Sequence, residues 1–280
     1  MIISSGQMVN HATYLFIDGA HLRKYYEETM RPWFGESLTW QDIDFNALRN
    51  RFQVQRCFFY DCLDNIKKRG ETDSAFDDRV NNQKRAFYSM SQVYGLIVRL
   101  GYLAGASEEK KRQKEVDILL TVDMMNHAVR QNMDKAILLA GDRDFKPLVE
   151  SLVNLGVIVE LHGDRQHTSQ DLSMAGDLYE PLTFGYYFEI TKRHLQQAHP
   201  KPAAVAGIGL TPTLTLVSSG TLAGERCDFY EDKTKEEYVL FAPQYNGLNS
   251  LSITYTDKEI EKLRYFCKMQ FGECKGILFQ

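Results

Sequence analysis

Four aspartates stand where a carboxylate-bound metal site needs them, namely Asp18, Asp117, Asp142 and Asp144. Asp18 and Asp142 each follow a short apolar run that predicts a buried strand, and Asp117 lies at the start of a predicted helix. In an open parallel sheet the carboxyl ends of separate strands face one crevice. We therefore expect the four side chains to meet at that edge, although they are far apart in sequence.

Such a cluster needs a cation. Carboxylates a few ångströms apart raise one another's pKa and repel unless a positive charge neutralises them. Oxygen ligands favour hard divalent ions, so Mg²⁺ or Mn²⁺ is the expected occupant. Each aspartate taken alone also has a structural explanation, as a helix cap or as a favourable charge in a first helical turn. The metal hypothesis therefore depends on all four lying at one edge of the sheet.

The helix that carries Asp117 also carries Asp123, six residues later. That spacing puts the two side chains about 120° apart around the helix axis. We interpret Asp117 as the ligand and Asp123 as structural. Lys114 lies one turn before Asp117 and is positioned to reach a phosphate, or else is a solvated lysine in the charged stretch 108–114.

The elements that would position these residues alternate between strand and helix, which predicts an α/β fold with a parallel sheet. Strands are predicted over residues 13–18, 54–60, 102–107, 136–140 and 157–161. Helices are predicted over residues 21–30, 45–50, 83–101, 145–155 and 169–178, and from residue 115 onward. Residues 67–82 are either a flexible insertion or the lead-in to a helix. On the helix from residue 115, the predicted buried face consists of Ile118, Val122, Met125 and Val129.

A proline- and alanine-rich stretch has the composition of a linker at residues 198–206. It predicts a first domain of residues 1–197 and a second of residues 207–280. In the second domain, strands are predicted over residues 214–217, 238–241 and 251–255. A helix follows, with Thr256 and Glu259 at the spacing of a capping box. This is a small α+β domain of unknown role, in which no residue pattern indicates catalysis.

The composition is that of an ordinary globular protein, with 44% apolar and 25% charged residues. No apolar run approaches the roughly 20 residues that span a bilayer, and the N-terminal stretch lacks the pattern of a signal peptide. The five cysteines show no Cys-x-x-Cys pair, so we expect reduced thiols and a cytoplasmic location. A net charge of −4 argues against a broadly basic nucleic-acid binder. It permits a nuclease, because an acidic metal site hides basic patches in the total.

Three segments together resemble the signatures of the NYN domain family, LabA-like proteins among the PIN-like nucleases. They are Phe16–Arg23, Lys114–Met124 and Leu138–Phe145, and Ser169–Leu178 is similar to the closing segment of that family. The resemblance spans residues 12–190 in the right order. It implies a PIN-like, Rossmann-like parallel sheet flanked by helices, and it leaves the small C-terminal domain unassigned.

The resemblance also implies a metal-dependent ribonuclease that hydrolyses RNA by in-line attack of water, with one or two Mg²⁺ or Mn²⁺ ions. A bound metal can lower the pKa of the attacking water and stabilise charge on the phosphate. The positions that match the ligands of the family are Asp18, Asp117, Asp142 and Asp144. The candidates for holding backbone phosphates are Lys114, Arg143 and Arg165.

One residue departs from the family pattern, since His21 stands where the family usually has asparagine. Histidine can replace the amide as a donor to substrate, can approach the metal, or can mark a weakened site. The alternative function is therefore an RNA-binding or regulatory protein with a weak or inactive site.

Two other enzyme classes lack their required residues. A phosphatase of the haloacid dehalogenase kind needs a second aspartate at position 20, which is alanine. A dinucleotide-binding enzyme needs a Gly-x-Gly-x-x-Gly turn after the first strand, and none is present there. For residues 207–280 the open roles are substrate recognition, homo-oligomer formation and binding of a protein partner.

Overall fold

The computed structural model of this protein describes residues 12–104, 112–114, 116–205, 212–222, 225–243 and 252–272. Its contacts divide the chain into two compact units. One consists of residues up to Glu28 together with Thr39–Leu182, and the other of Thr29–Leu38 together with the residues from Thr183 on. The boundaries predicted at residues 197 and 207 stay a prediction. On the basis of its contacts, the segment of residues 183–197 belongs to the second unit.

The first part of the chain alternates between strands and helices. The strands are β1 (Thr13–Asp18), β2 (Arg56–Leu63), β3 (Leu96–Ala104), β4 (Arg112–Lys114), β5 (Lys135–Leu139), β6 (Ile158–Asp164) and β7 (Leu178–Leu182). The helices are α1 (Gly19–Phe34), α2 (Phe45–Phe52), α3 (Asp73–Ser91), α4 (Val116–Val129), α5 (Lys146–Asn154) and α6 (Gln170–Ser173). Short 3-10 turns lie at Trp40–Asp42 and Arg143–Phe145.

These strands form one sheet in the order β4-β3-β2-β1-β5-β6-β7. Within the described ranges six of them are parallel and β4 is antiparallel at the edge. The chain runs outward from β1 to β3 and then returns to place β5 on the other side of β1. That reversal is the topological switch point, where the carboxyl ends of neighbouring strands open a crevice. The predicted α/β fold with a parallel sheet flanked by helices is confirmed.

Strand β1 is central because it is apolar on both faces. Its four middle residues, Tyr14 to Ile17, are buried, as is typical of a parallel strand covered on both sides. Phe16 faces the core between the sheet and α4, where its ring stacks on that of Phe58 with centroids 5.0 Å apart. β1 pairs with both β2 and β5, so its last residue, Asp18, lies at the switch point.

Two predicted elements around β3 were wrong. Residues 96–101, predicted to be helical, form β3. Helix α3 ends at Ser91, and Gly95 has a φ of 76°, which favours glycine and redirects the chain before the strand. The polar stretch before it proves to be the lead-in to a helix, because Thr72 caps α3. The charged segment predicted to be a loop forms β4 at residues 112–114.

The predicted buried face of α4 was also wrong. The buried residues are Val116, Leu120, Met124 and Ala128. Of the residues predicted to be core, Ile118 and Val129 are 64% and 67% exposed, Val122 is exposed and Met125 is only partly buried. Apolar residues occur nearly all round this helix, so the periodicity alone does not determine which side packs against the sheet.

The second part of the chain contains α7 (Phe184–Glu189), α8 (Arg193–Ala198), β8 (Ala203–Val205), β9 (Leu214–Leu222), β10 (Glu225–Asp232), β11 (Glu237–Pro243), β12 (Ser252–Asp257) and α9 (Ile260–Phe271). Its strands pair antiparallel in the order β8-β12-β11-β10-β9. A separate core includes Phe229, Leu240 and Leu263. The expected small α+β region is confirmed.

Three details of this region differ from the predictions. β10 was not predicted, and β8 lies inside the stretch predicted to be a linker. Thr256 belongs to β12 instead of capping a helix. The N-cap of α9 is Glu259, whose backbone N–H donates to the Asp257 carboxylate at 2.9 Å. Throughout the described residues, no helix combines the length and the apolar character needed to cross a membrane.

Candidate metal centre

Asp18 ends β1 and is half-buried at the switch point. Its Oδ1 accepts the backbone N–H of His21 at 3.2 Å, so the carboxylate also supports the first turn of α1. Burial raises the pKa of Asp18 to about 7, and the charges of Asp117 and Asp61 add to the rise while the backbone hydrogen bonds oppose it. A carboxylate in this setting stays ionised at neutral pH only with help from positive charge.

The other three aspartates come from the start of α4 and from the turn after β5. Asp117 is exposed in the first turn of α4. Asp142 follows β5 and caps the 3-10 turn, with its Oδ1 accepting the N–H of Asp144 at 3.0 Å. Burial raises the pKa of Asp117, and the charges of Asp142 and Asp144 raise it further. Asp117 therefore interacts electrostatically with all three other predicted ligands.

The donor set fits a hard cation. In the part of the chain that the structure describes, no lysine or arginine forms an ion pair with any of the four aspartates, and backbone N–H groups offset only part of their mutual repulsion. Carboxylate oxygens are the ligands that Mg²⁺ and Mn²⁺ prefer. The four are not drawn tightly together, however. No three of them have oxygens that all lie within 4.8 Å of one another.

A different group among the described residues meets that distance, namely Glu160, His162 and Glu180. His162 Nε2 donates to Glu160 Oε1 at 2.6 Å, and the Lys135 ammonium pairs with the same carboxylate. The His162 ring packs edge-on against Phe52, with centroids 4.9 Å apart. Lysine already neutralises the buried glutamate, so we interpret this group as part of the structure of the sheet face.

Asp61 was not predicted as a site residue, although it lies at the end of the strand next to β1. Its side chain is fully buried and pairs with Arg23, with Nε to Oδ2 at 2.7 Å and Nη2 to Oδ1 at 2.8 Å. A Cβ on Gly19 would lie 2.7 Å from Asp61 Oδ2, so only glycine fits beside Asp18. Arg23 offsets the charge that Asp61 places next to Asp18.

Asp123 has the structural role that helix geometry predicted. Its carboxylate accepts the hydroxyl of Tyr60 at 3.0 Å and pairs with Arg99 at 3.3 Å. The side chain thus joins α4 to β2 and β3. That interpretation is confirmed.

A cleft of about 590 Å³ opens beside the aspartates. Asp18 and Asp142 supply its acidic groups, and His21, Tyr25 and the loop of residues 166–169 also line it. This loop is joined to the segment that carries Asp142, because the Ser169 N–H donates to the Gly141 carbonyl at 3.0 Å.

His21 lines this cleft but is held by the protein itself. Its Nε2 accepts the backbone N–H of Asp164 at 3.2 Å. A Cβ on Gly141 would lie 2.3 Å from His21 Cε1, so the ring packs directly on that glycine. Burial lowers the pKa of His21 to about 4, against the opposing charge of Asp164, and the ring is neutral at physiological pH.

The predicted phosphate-holding residues have different surroundings. Arg143 lines the cleft and pairs with Asp171 at 2.7 Å. Arg165 is exposed directly after β6, at the same edge of the sheet. The backbone of Lys114 pairs with that of Tyr102 in the edge strand, and its side chain lies outside the described residues.

Further residues of the cleft were missed. Lys24 is an exposed cation in the cleft, with Nζ 4.8 Å from the centre of the Tyr25 ring. Asp164 and His167 form a hydrogen-bonded pair at 2.7 Å. Asp164 ends β6, but the strand predicted there stopped at residue 161, so the pattern of an apolar run followed by an acid did not indicate it.

Comparison with known proteins gives a family. Residues 12–183 match the model of the NYN domain, which is more than half of the chain. No curated protein matches the sequence. Among solved structures, the chain is similar to a crystal structure of VPA0982, a protein of unknown function from Vibrio parahaemolyticus. The two are 18% identical with a TM-score of 0.46, over 64% of this chain and 96% of that chain.

Proposed function

Because this chain belongs to the NYN domain family, within the PIN-like nuclease superfamily, we propose that it is a metal-dependent ribonuclease. The substrate would be RNA, and the reaction would be hydrolysis of a phosphodiester bond. The observation that supports this most is that Asp18 and Asp142 line one cleft, and that no lysine or arginine in the described ranges pairs with any of the four aspartates. Carboxylates in this arrangement attract divalent cations.

The metal would be held by the carboxylates of Asp18, Asp117, Asp142 and Asp144. When bound, Mg²⁺ or Mn²⁺ would lower the pKa of an attacking water and stabilise charge on the phosphate. The chain's own residues would supply the rest. Lys24 and Arg143, both in the cleft, would hold phosphates beside the carboxylates. Arg23 would keep Asp61 from adding its full charge beside Asp18.

A second candidate is an RNA-binding regulatory protein with a weak or inactive site. The observation that favours it is His21, which stands where the family usually has asparagine. Its Nε2 is already used by the Asp164 N–H, and that nitrogen offers nothing to a substrate or a metal.

Cleavage of mixed single-stranded and structured RNA by the purified protein tests the proposal, with Mn²⁺, Mg²⁺ or EDTA present. Asp142→Asn removes a carboxylate from the cluster, and Asp77→Asn is the matched control because Asp77 is exposed on α3. We expect metal-dependent cutting that is lost in Asp142→Asn and kept in Asp77→Asn. Cutting that persists in Asp142→Asn or in EDTA would refute this site. Binding without cutting would favour the regulatory protein.

The remaining parts of the proposal concern the setting of the protein. We propose a cytoplasmic location, from the pattern of cysteines, and a role for residues 207–280 in forming a homo-oligomer or binding a protein partner. Light scattering of the purified chain tests the first role, since a monomeric mass would exclude the homo-oligomer. Cell fractionation tests the location.

A further inference from the structure

The loop after β6 holds one histidine in a fixed orientation. Asp164 is buried, and its Oδ1 accepts the backbone N–H groups of Gln166 at 3.0 Å and of His167 at 3.1 Å. The same oxygen lies 2.7 Å from Nδ1 of the His167 ring. The ring of His167 stacks on that of Tyr25, with centroids 4.5 Å apart and planes 20° from parallel. Contacts on two sides thus determine where this ring points.

These contacts also determine the chemistry of the other nitrogen. An oxygen that already accepts two backbone N–H groups is an acceptor toward Nδ1, so Nδ1 carries the proton. In a neutral imidazole with the proton on Nδ1, Nε2 is an acceptor. Among the described residues, no group donates a hydrogen bond to Nε2 of His167, and the side chain is 46% exposed in the cleft.

The backbone of this histidine lies close to Gly141, and the residue lines the same cleft as Asp18 and Asp142. A Cβ on Gly141 would be 3.1 Å from the carbonyl oxygen of His167, and Gly141 directly precedes Asp142. A nucleotide whose phosphate meets the carboxylates would therefore have its sugar or its neighbour's sugar beside this loop.

A ligand group that pairs with Nε2 of His167 as an acceptor must be a hydrogen-bond donor. Phosphate oxygens are acceptors and pair only with the doubly protonated ring, whereas a neutral ring with its proton on Nδ1 needs a donor at Nε2. In RNA the ribose 2′-hydroxyl can donate, and DNA lacks that group. Gln166 and Ser169 line the same cleft, and their uncharged side chains suit a sugar better than a phosphate.

We propose that His167 accepts a hydrogen bond from a ribose 2′-hydroxyl next to the scissile phosphate, and that this contact makes the site selective for RNA over DNA. Asp164 and Tyr25 are positioning residues that fix the ring. The inference rests on the proposed function, since it names the sugar that the same cleft selects.

The test compares the affinity of the full chain for a single-stranded RNA and a DNA of the same sequence, in EDTA so that neither is cut. His167→Phe keeps a ring to stack on Tyr25 and removes the acceptor. His194→Phe is the control, because His194 is an exposed histidine on α8. We expect RNA to bind the wild-type chain about threefold to tenfold more tightly than DNA, which is the size of one hydrogen bond. His167→Phe should bring this ratio close to one without weakening DNA binding, and His194→Phe should leave it unchanged.

A series of RNAs with a single 2′-deoxy substitution tests the same contact in the wild-type chain, so the answer does not depend on the folding of a variant. A 2′-deoxy substitution at one position should weaken RNA binding to the wild-type chain, and the same substitution should have no effect on binding to His167→Phe. A ratio unchanged in His167→Phe would overturn the inference, as would equal loss of RNA and DNA binding. Discrimination that follows the base instead of the sugar would also overturn it.

The two proposals fail separately. A chain that prefers RNA through His167 but cuts nothing in Mg²⁺ or Mn²⁺ would keep this inference and refute the ribonuclease. A chain that cuts RNA and DNA equally would show a nuclease and overturn the inference.

Discussion

The backbone N–H of Asp164 donates a hydrogen bond to Nε2 of His21 at 3.2 Å, so one buried histidine joins the start of α1 to the end of β6. The same ring packs on Gly141, which precedes Asp142. The three segments that carry Asp18, Asp142 and Asp164 therefore meet at His21.

Replacing His21 with asparagine should destabilise the protein. The shorter side chain would leave the buried Asp164 N–H without its acceptor and open space beside Gly141. We expect a loss of about 1–3 kcal/mol in the free energy of unfolding, measured by urea denaturation. Lys24→Ala, an exposed change on the same helix, is the control. A His21→Asn variant as stable as the control would show that the bridge is unimportant.

Asp18 should make the metal-free protein less stable as pH rises. Its pKa is about 7 in the folded protein and about 3.8 in the unfolded chain. Between these values the folded state keeps a proton that the unfolded chain has lost, so stability falls as pH rises from about 4 to about 7. Asp18→Asn should therefore be more stable than wild type at pH 7.5, by about 1–3 kcal/mol. Unfolding curves in EDTA measure this, and an equal or lower stability of Asp18→Asn would contradict it.

His21 has the opposite dependence on pH. Its pKa is about 4 in the folded protein and about 6.5 in the unfolded chain, so the unfolded chain takes up the proton first as pH falls. Stability from this group is fully present above pH 6.5 and is lost as pH falls toward 4. In wild type the two effects offset each other. In Asp18→Asn we expect stability to rise with pH from 4 to 6.5, and a flat profile there would contradict the assignment.

Divalent metal should stabilise the folded chain by mass action. We expect Mg²⁺ or Mn²⁺ to raise the melting temperature, because it neutralises carboxylates that repel one another. Asp142→Asn should reduce this rise in melting temperature, and Asp77→Asn, at an exposed position of α3, should keep it. Thermal unfolding across a series of metal concentrations provides the measurement. An undiminished response in Asp142→Asn would remove Asp142 from the ligands.

Removing only one member of the buried Arg23–Asp61 ion pair should lower the stability of the folded protein. Arg23→Ala leaves the fully buried Asp61 carboxylate without its cation, and we expect a loss of about 3–5 kcal/mol. The double variant Arg23→Ala with Asp61→Asn should recover part of that loss, since the remaining group is neutral. Arg85→Ala, exposed on α3, is the control and should lie within about 0.5 kcal/mol of wild type. Additive losses in the double variant would refute the pairing.

The sequence was sufficient to predict where the carboxylates lie, because an apolar run followed by an acid indicates both a buried strand and its carboxyl end. Asp18 and Asp142 could be placed in this way. The pairing of Asp164 with His167 could not, since it depends on how a loop closes against α1. The prediction of the buried face of α4 failed for another reason. With Ile118 and Leu120 both apolar, only packing against the sheet decides which one is covered.

The predicted division of the chain at residues 198–206 stays a prediction. The composition of residues 198–206 indicated a linker, yet part of it forms β8. The hydroxyl of Tyr265 donates to the carbonyl of Thr29 at 2.6 Å, a contact across most of the chain that no local pattern signals. A fragment that ends at residue 206 would lose this partner of α1, so we expect it to be less stable than the full chain.

The central place of β1 has a consequence during translation. Domains fold as their residues emerge, beginning at the N-terminus. Asp18 emerges with the first strand, whereas Asp142 and Asp144 follow β5, which pairs with β1 only after β2 and β3 have been made. A growing chain therefore carries the four carboxylates on three separate segments. The cluster is assembled only when β5 takes its place beside β1.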